Sequence, residues 1–358
     1  MSTRRWATLA GAFLVIGAYP ALAQDASSQI RKEIGRLQQR LKDKPASASG
    51  FAGLADTIGG DLKSSAAALD AGRLYLSLET LRRASDLLSG LETVAQKSAD
   101  VEKGGLAAYQ AVWDAQNRDL TALDREMAAQ SWDHAPAAVR ALAETAQAQA
   151  KPLLEGGLGF ATATAPKDGV FYLGQAAGEA EFARFCATLR FPPGTVPRPR
   201  RSLAPELRSL QEQTNAAFVP PRSIDLHSRF IALNSTLKLA QELESAKLYD
   251  GALYEYLDAI RHFAMLDAAP ADAAAPSGFE ADLARARDRL AAAPGDQSIA
   301  RAFLERAETA ASPEEMRSAR VIVDRVLPAY FAALQPAQAS PLPPGKLIDI
   351  TLVRWPYT

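Results

Sequence analysis

Apolar residues recur at intervals of three or four positions along nearly the whole chain, and this spacing limits the fold more than any other feature. Ile30, Ile34, Leu37 and Leu41 form the first such stripe. Side chains with this spacing share one face of an α-helix, which must be buried against another element. The residues between the stripes are mostly Ala, Leu, Glu, Gln and Arg, which are strong helix formers. The sequence therefore predicts an all-α fold.

Short segments separate these stripes and decide how the helices are arranged. Helices joined by short connections lie antiparallel, which predicts helical hairpins in a bundle or an irregular solenoid. A helix is predicted over 137–154, stopped by Gly156-Gly157, with 156–169 as a connecting loop. A further helix is predicted to start at Ser312, because a proline and two glutamates follow this capping residue.

The first residues have the order of a secretory signal peptide. Arg4 and Arg5 provide the positive charge, 6–18 is an uncharged and mostly apolar run, and Ala21-Leu22-Ala23 is a small-x-small cleavage site. Cleavage there would leave Gln24 first, and we expect an exported protein of the bacterial periplasm or the extracellular space. No later apolar run has the roughly 20 residues that cross a bilayer, so no transmembrane segment is expected after cleavage.

The composition is that of a globular chain with no strong electrostatic preference. Hydrophobic residues make up 48% of the 358 residues, charged residues 23%, and the formal net charge is -1. Neither nucleic acid nor an anionic membrane surface is therefore an expected partner. Cys186 is the only cysteine, so the chain has no internal disulfide, and we expect a small buried side chain there.

A proline-rich segment in the middle of the chain is the best candidate for a domain boundary. Four prolines between positions 192 and 199 exclude a helix and favour an extended course. The predicted organisation is a signal peptide (1–23), an N-terminal helical domain (24–190), a Pro/Arg-rich linker (191–203), a C-terminal helical domain (204–335) and an extended tail (336–358).

Local motifs for chemistry are missing. The three histidines, His134, His227 and His262, lie on separate predicted segments without metal-site spacing. His262 follows Asp258 by four positions, which we interpret as a surface pair on one helix. We therefore predict no catalytic, cofactor-binding or metal-binding residues and no cofactor. A site assembled from distant residues leaves no local motif and stays open.

Small and aromatic residues follow a regular order over 233–266. That order consists of Leu239, Ala240, Leu243, Tyr249, Ala252, Tyr256 and Ala259. It resembles one hairpin of a tetratricopeptide repeat, and a weaker second copy lies near 58–91. Lys247 stands where the family usually has a turn glycine. The resemblance implies stacked helical hairpins that present a concave surface to proteins or peptides.

The end of the sequence departs from the helical pattern. Residues 346–355 are rich in β-branched and aromatic residues with alternating apolar positions, which predicts a β-strand. A lone strand needs a partner for its backbone groups. That partner is a strand of the same chain, within 159–164 or near Phe218-Val219, or a second copy or another protein; otherwise the tail is disordered until bound. The candidate partner-binding residues are Ile348, Ile350, Leu352 and Trp355.

The sequence favours an exported, non-enzymatic protein-interaction or scaffold protein of the cell envelope, with a protein partner there. Pairing of the tail with a second copy would make a homo-oligomer. One alternative is an enzyme that acts on an envelope polymer in a cleft between the two helical halves. A buried cluster of acids and histidine with shifted pKa values would favour it. Another is a helical carrier of an apolar small molecule, which a large apolar cavity would favour.

Overall fold

The structure is a computed structural model, and it describes residues 19–43, 53–192, 200–217, 224–267 and 278–335. The predicted all-α fold is confirmed over these ranges, which contain helices and no β-strand. The predicted strand over 346–355 lies outside them, as do Ile348, Ile350, Leu352 and Trp355. No helix in the described ranges is long and apolar enough to cross a membrane.

Twelve α-helices account for most of the described chain. They are α1 (Tyr19–Lys42), α2 (Leu54–Asp70), α3 (Leu74–Ala129), α4 (Ala137–Ala163), α5 (Val170–Thr188), α6 (Ala204–Ala217), α7 (Ile224–Ser245), α8 (Tyr249–Asp267), α9 (Phe279–Ala292), α10 (Ser298–Glu308), α11 (Pro313–Val321) and α12 (Leu327–Ala333). A 3-10 turn at Pro166–Gly169 precedes α5, and a π-helical turn at Ile322–Val326 joins α11 to α12.

Close packing of α3 against α5 forms the centre of the first half. Glycines on both helices allow this approach: a Cβ atom added at Gly178 of α5 would lie 2.6 Å from the Cα of Asp86 on α3. Cys186, near the end of α5, is buried as predicted. Because the backbones approach so closely, polar side chains of α3 and α5 near this crossing are drawn into the protein interior.

Helix α4 is longer than the sequence predicts. It continues through Gly156 and Gly157 to Ala163, so the predicted helix end near 154 and the loop over 156–169 are wrong. A Cβ atom at Gly157 would lie 2.9 Å from the Tyr109 hydroxyl, so this glycine serves close packing and not a turn. The same helix excludes 159–164 as a strand partner for the tail.

The helix start predicted at Ser312 is confirmed. Its hydroxyl accepts a hydrogen bond from the Glu315 backbone N–H at 3.2 Å, and the Glu315 carboxylate accepts from the Ser312 N–H at 2.8 Å. Helix α11 begins at Pro313 directly after this capping box. Here the local pattern alone decides where the helix begins.

Both halves of the chain contribute to one hydrophobic core. Helix α8 packs against α7 and also against α4, and α10 contacts α3 and α4. One cluster of buried apolar side chains extends from Ile30 in α1 to Ala333 in α12. The domain boundaries therefore stay a prediction, while the packing places α8 and α10 of the second half directly against α3 and α4 of the first.

Candidate functional site

A polar cavity of about 250 Å³ lies where these helices meet. It is lined by charged and polar side chains from α3, α5, α8 and α10, with one leucine from α4. The lining residues are Glu79, Arg82, Arg83, Asp86, Leu142, Glu179, Tyr254, Glu255, Asp258 and Arg306. We call this space the ionic cavity.

Helical spacing brings these residues together. The four lining residues of α3 share one face of this helix. Arg82 and Arg83 follow Glu79 by three and four positions, and Asp86 follows it by seven. Spacing of this kind is usual for a solvated helix surface, which is why the sequence alone did not reveal the site. Helices α5, α8 and α10 cover most of this face of α3, while the Arg83 side chain stays 65% exposed.

Arg82 and Glu179 form the first fixed ion pair of the cavity. Two Arg82 nitrogens donate to the two Glu179 oxygens at 2.6 and 2.8 Å. The Glu179 side chain is 4% exposed and that of Arg82 17%. Two-point pairing of this type holds both groups in one geometry. Arg82 is also close to Asp86 and Glu255, and negative charge on these carboxyl groups raises the pKa of Arg82.

Arg306 forms the second set of fixed ion pairs, and its side chain links helices α3, α8 and α10. Its Nε donates to Glu79 on α3 at 2.6 Å, and its Nη1 donates to Asp258 on α8 at 2.9 Å. The Tyr254 hydroxyl donates to Glu79 and accepts from Arg306. Glu79, Asp258 and Tyr254 are therefore all tied to one guanidinium group from α10.

Asp258 has two further neighbours, an arginine and a histidine, at the edge of the cavity. Arg261 donates to it at 2.8 Å, and His262 Nε2 lies 3.2 Å from its Oδ2. Burial acts to raise the pKa of Asp258, but Arg261, His262 and Arg306 together hold it well below its usual range. The pair predicted from spacing thus forms, yet Asp258 lines the cavity, which corrects the interpretation as a surface pair.

Asp86 and Glu255 are the two carboxyl groups of the cavity without a fixed cation. Burial and the nearby Glu179 raise the pKa of Asp86 to about 8. The Asp86 Oδ1 atom is buried without a hydrogen-bond partner in the part of the chain that the structure describes. Burial and the charge of Asp258 raise the pKa of Glu255 to about 7, against the opposing effect of Arg82.

This arrangement can store and transfer protons near neutral pH. The arginines of the lining are already occupied: Arg82 pairs with Glu179, Arg83 with Asp61 and Arg306 with Glu79. The proton-exchanging capacity therefore lies with the unpaired carboxyl groups. Two such groups with shifted pKa values in one cleft are the arrangement that general acid–base catalysis uses.

Two of the three histidines considered from sequence lie elsewhere. His134 is in the segment between α3 and α4, and His227 lines a groove between α6 and α7. Among the described residues, no group of three or more His, Cys, Asp or Glu side chains is arranged to hold a metal ion. The ionic cavity is assembled by the packing of separate helices, and no local sequence motif marks it.

Comparison of the chain with protein-family models, with curated proteins and with solved structures finds no match. The fold and the site define a helical protein with an ionic cavity between its two halves. Its function is therefore inferred from the geometry of the cavity.

Proposed function

We propose that this chain is an exported enzyme of the cell envelope that cleaves a polar envelope polymer by acid–base chemistry in the ionic cavity. The observation that carries the proposal is the pair of carboxyl groups without a fixed cation, Asp86 and Glu255, whose pKa values are raised to about 8 and about 7. Such a cluster favours the enzyme over the non-enzymatic scaffold that the sequence favours.

The two carboxyl groups are suited to different roles. Asp86 keeps its proton at neutral pH and so can donate it to a leaving group. Glu255 exchanges its proton close to pH 7 and so can accept one from an attacking water. Arg82 is the positioning residue for both groups. Its ion pair with Glu179 holds it in place, and its charge acts on the carboxyl groups of Asp86 and Glu255. A neutral, hydroxyl-rich glycan is the substrate class that such a lining would bind by hydrogen bonds.

Export is part of the proposal, and the packing of α1 is compatible with it. The first described side chain that α1 buries is that of Ala26, followed by Ile30. Cleavage after Ala23 would leave both of these contacts in place. The mature chain would then keep the buried stripe with which α1 packs on α2 and α3.

Release of soluble fragments from an envelope glycan tests the enzyme directly. We expect the mature chain to release glycan fragments from insoluble peptidoglycan, measured by mass spectrometry, and Asp86→Asn and Glu255→Gln each to lower the rate at least tenfold. Glu181→Gln is the matched control, since Glu181 is a carboxylate of α5 whose partners Arg36 and Arg40 lie outside the cavity lining. Absence of release by the unchanged chain, or equal rates in all variants, would contradict the proposal for this polymer.

A second candidate function is the tetratricopeptide-like interaction module. In its support, Ala240 and Ala252 are fully buried where α7 and α8 cross. Lys247 has a φ of 62°, the left-handed conformation for which the family's turn glycine is suited. If this module functions through the tail, envelope proteins captured by the full chain will be lost with a chain that ends at Gln335 and keeps its helical circular dichroism.

A further inference from the structure

A groove runs along one side of the α6/α7 pair, away from the ionic cavity. It contains two depressions, of about 510 and about 290 Å³. The larger is lined by Thr214, Asn215, His227, Phe230, Ile231, Asn234 and Ser235. The smaller is lined by Ala204, Leu207, Arg208, Gln211, Glu212, Gln241, Glu244 and Ser245.

The two depressions lie on the same side of the α6/α7 pair, one after the other along the groove. On α6, Ala204 and Arg208 of the smaller depression are in helical register with Asn215 of the larger one. On α7, Ile231 and Ser245 are likewise in register, two turns on either side of Lys238. Residues three, four and seven apart share a helix face, so both depressions open on the same side of the pair.

The groove presents apolar surface together with amide side chains. Ile231 is 55% exposed there, one of the few large apolar side chains left at the surface of the described chain. Gln211, Asn215, Gln241 and Asn234 come from both walls. Each amide has more donors and acceptors than its bonds within α6 and α7 use. Such a surface suits an extended peptide, whose backbone needs hydrogen-bond partners and whose apolar side chains need burial.

The described chain ends at one end of this groove. The Gln335 carbonyl accepts a hydrogen bond from Arg201 Nε at 3.1 Å, just before α6 begins. The neighbouring Leu203 N–H donates to Glu244, a wall residue of the smaller depression. Segment 336–358 therefore starts beside the groove.

The length of that segment fits the distance it must cover. A proline-rich stretch of the length of 336–345 would span about 30 Å at ~3.1 Å per residue if extended. Along α7 the groove runs from His227 to Ser245, about 27 Å at ~1.5 Å per residue. The apolar residues that follow can therefore reach the larger depression without strain in the connection.

We propose that residues 346–355 of the same chain bind in extended form along the α6/α7 groove. Ile348, Ile350 and Leu352 alternate onto one face of this run and cover Ile231. The amide side chains of the groove walls pair with its backbone groups. The occupant is the chain's own tail, and this inference is independent of acid–base chemistry in the ionic cavity.

Disulfide trapping tests the docking in the full chain. Cys186 does not interfere, because it is buried and burial raises the pKa of its thiol. We expect Ile231→Cys combined with Ile350→Cys to form an intramolecular disulfide at least tenfold faster than Phe160→Cys combined with Ile350→Cys. Phe160, on α4, is a matched control, since it is 46% exposed. Rates would be measured by mass spectrometry at low protein concentration.

Equal rates in the two pairs would overturn the proposal, and so would covalent dimers in place of monomers, which would assign the groove to a second copy. Hydrogen exchange supplies a second measurement that needs no introduced cysteine. Replacing Ile348 and Ile350 by Glu should speed exchange of the α7 amides around Ile231 at least fivefold. Unchanged exchange there would also overturn it.

Discussion

At the scale of single residues, the contrast between Glu179 and Asp86 explains why the cavity can hold a proton. Both carboxyl groups are partly or fully removed from water near Arg82. Arg82 forms two hydrogen bonds to Glu179, and none of its nitrogens bonds to Asp86. Burial and the charge of Glu179 then make ionisation of Asp86 unfavourable. Burial raises the pKa of both carboxyl groups, and Arg82 opposes this at Glu179 through two hydrogen bonds that Asp86 lacks.

The raised pKa of Asp86 predicts how stability changes with pH. In the unfolded chain this carboxyl ionises near 3.8, whereas in the folded protein it ionises near 8. Between these values the unfolded state binds fewer protons, so the free energy of unfolding falls as pH rises from about 4 to about 8. We expect a decrease of up to about 1.4 kcal/mol per pH unit from this group, measured by urea unfolding.

The Asp86→Asn variant is the control for that prediction. Its amide has no charge to lose, so the dependence of stability on pH over this window should become weaker. Glu255 and Glu305, whose pKa values are each raised to about 7, will keep part of the effect between about pH 4.5 and pH 7. A variant with the same slope as the unchanged protein would exclude Asp86 as the source.

At the scale of helices, α4 and α11 show what local sequence can and cannot predict. The start of α11 at Pro313 depends on Ser312 and Glu315, which are close in sequence, so the prediction succeeds. The course of α4 through Gly156 and Gly157 depends on Tyr109, which is distant in sequence. Tertiary packing there outweighs the low helix propensity of glycine, and a pattern of neighbouring residues does not contain that information.

The two adjacent glycines of α4 should respond oppositely to alanine. A Cβ atom at Gly157 would meet the Tyr109 hydroxyl at 2.9 Å and the Gly169 carbonyl at 3.0 Å. Gly157→Ala should therefore lower the free energy of unfolding by about 1–3 kcal/mol. Gly156 has open space around a Cβ atom, and Gly156→Ala should raise it by about 0.5–1 kcal/mol. Stabilisation by both substitutions would show that Gly157 is not closely packed.

At the scale of the whole molecule, the ion pairs of the cavity connect the two halves of the chain. The all-α class follows from apolar spacing alone and is confirmed for the described residues. The cavity could not be predicted in this way, because Arg306 and Glu79 are 227 positions apart. Charges on a helix face look the same in sequence whether water or another helix covers them.

Removing Arg306, the cation that links three helices at the ionic cavity, should destabilise the protein strongly. Arg306→Gln leaves Glu79 and Asp258 buried without their shared partner, which costs about 3–5 kcal/mol when one side of a buried ion pair is lost. Arg301→Gln is the control. Arg301 lies on the same helix, but its side chain is 68% exposed and comes no closer than 3.8 Å to the Glu305 carboxylate. Equal unfolding free energies for the two variants, measured in urea, would contradict a central role for Arg306.

The bond between Glu79 and Arg306 also has a consequence for biosynthesis. A ribosome makes Glu79 long before Arg306, so the charged face of α3 lacks its α10 partner while 227 further residues are added. Native contacts between such distant positions slow folding, because a long loop must close before they form. The ionic cavity therefore cannot be completed until α10 has been synthesised. If the chain is exported, as we propose, this late completion would keep it suited to threading through a narrow export channel.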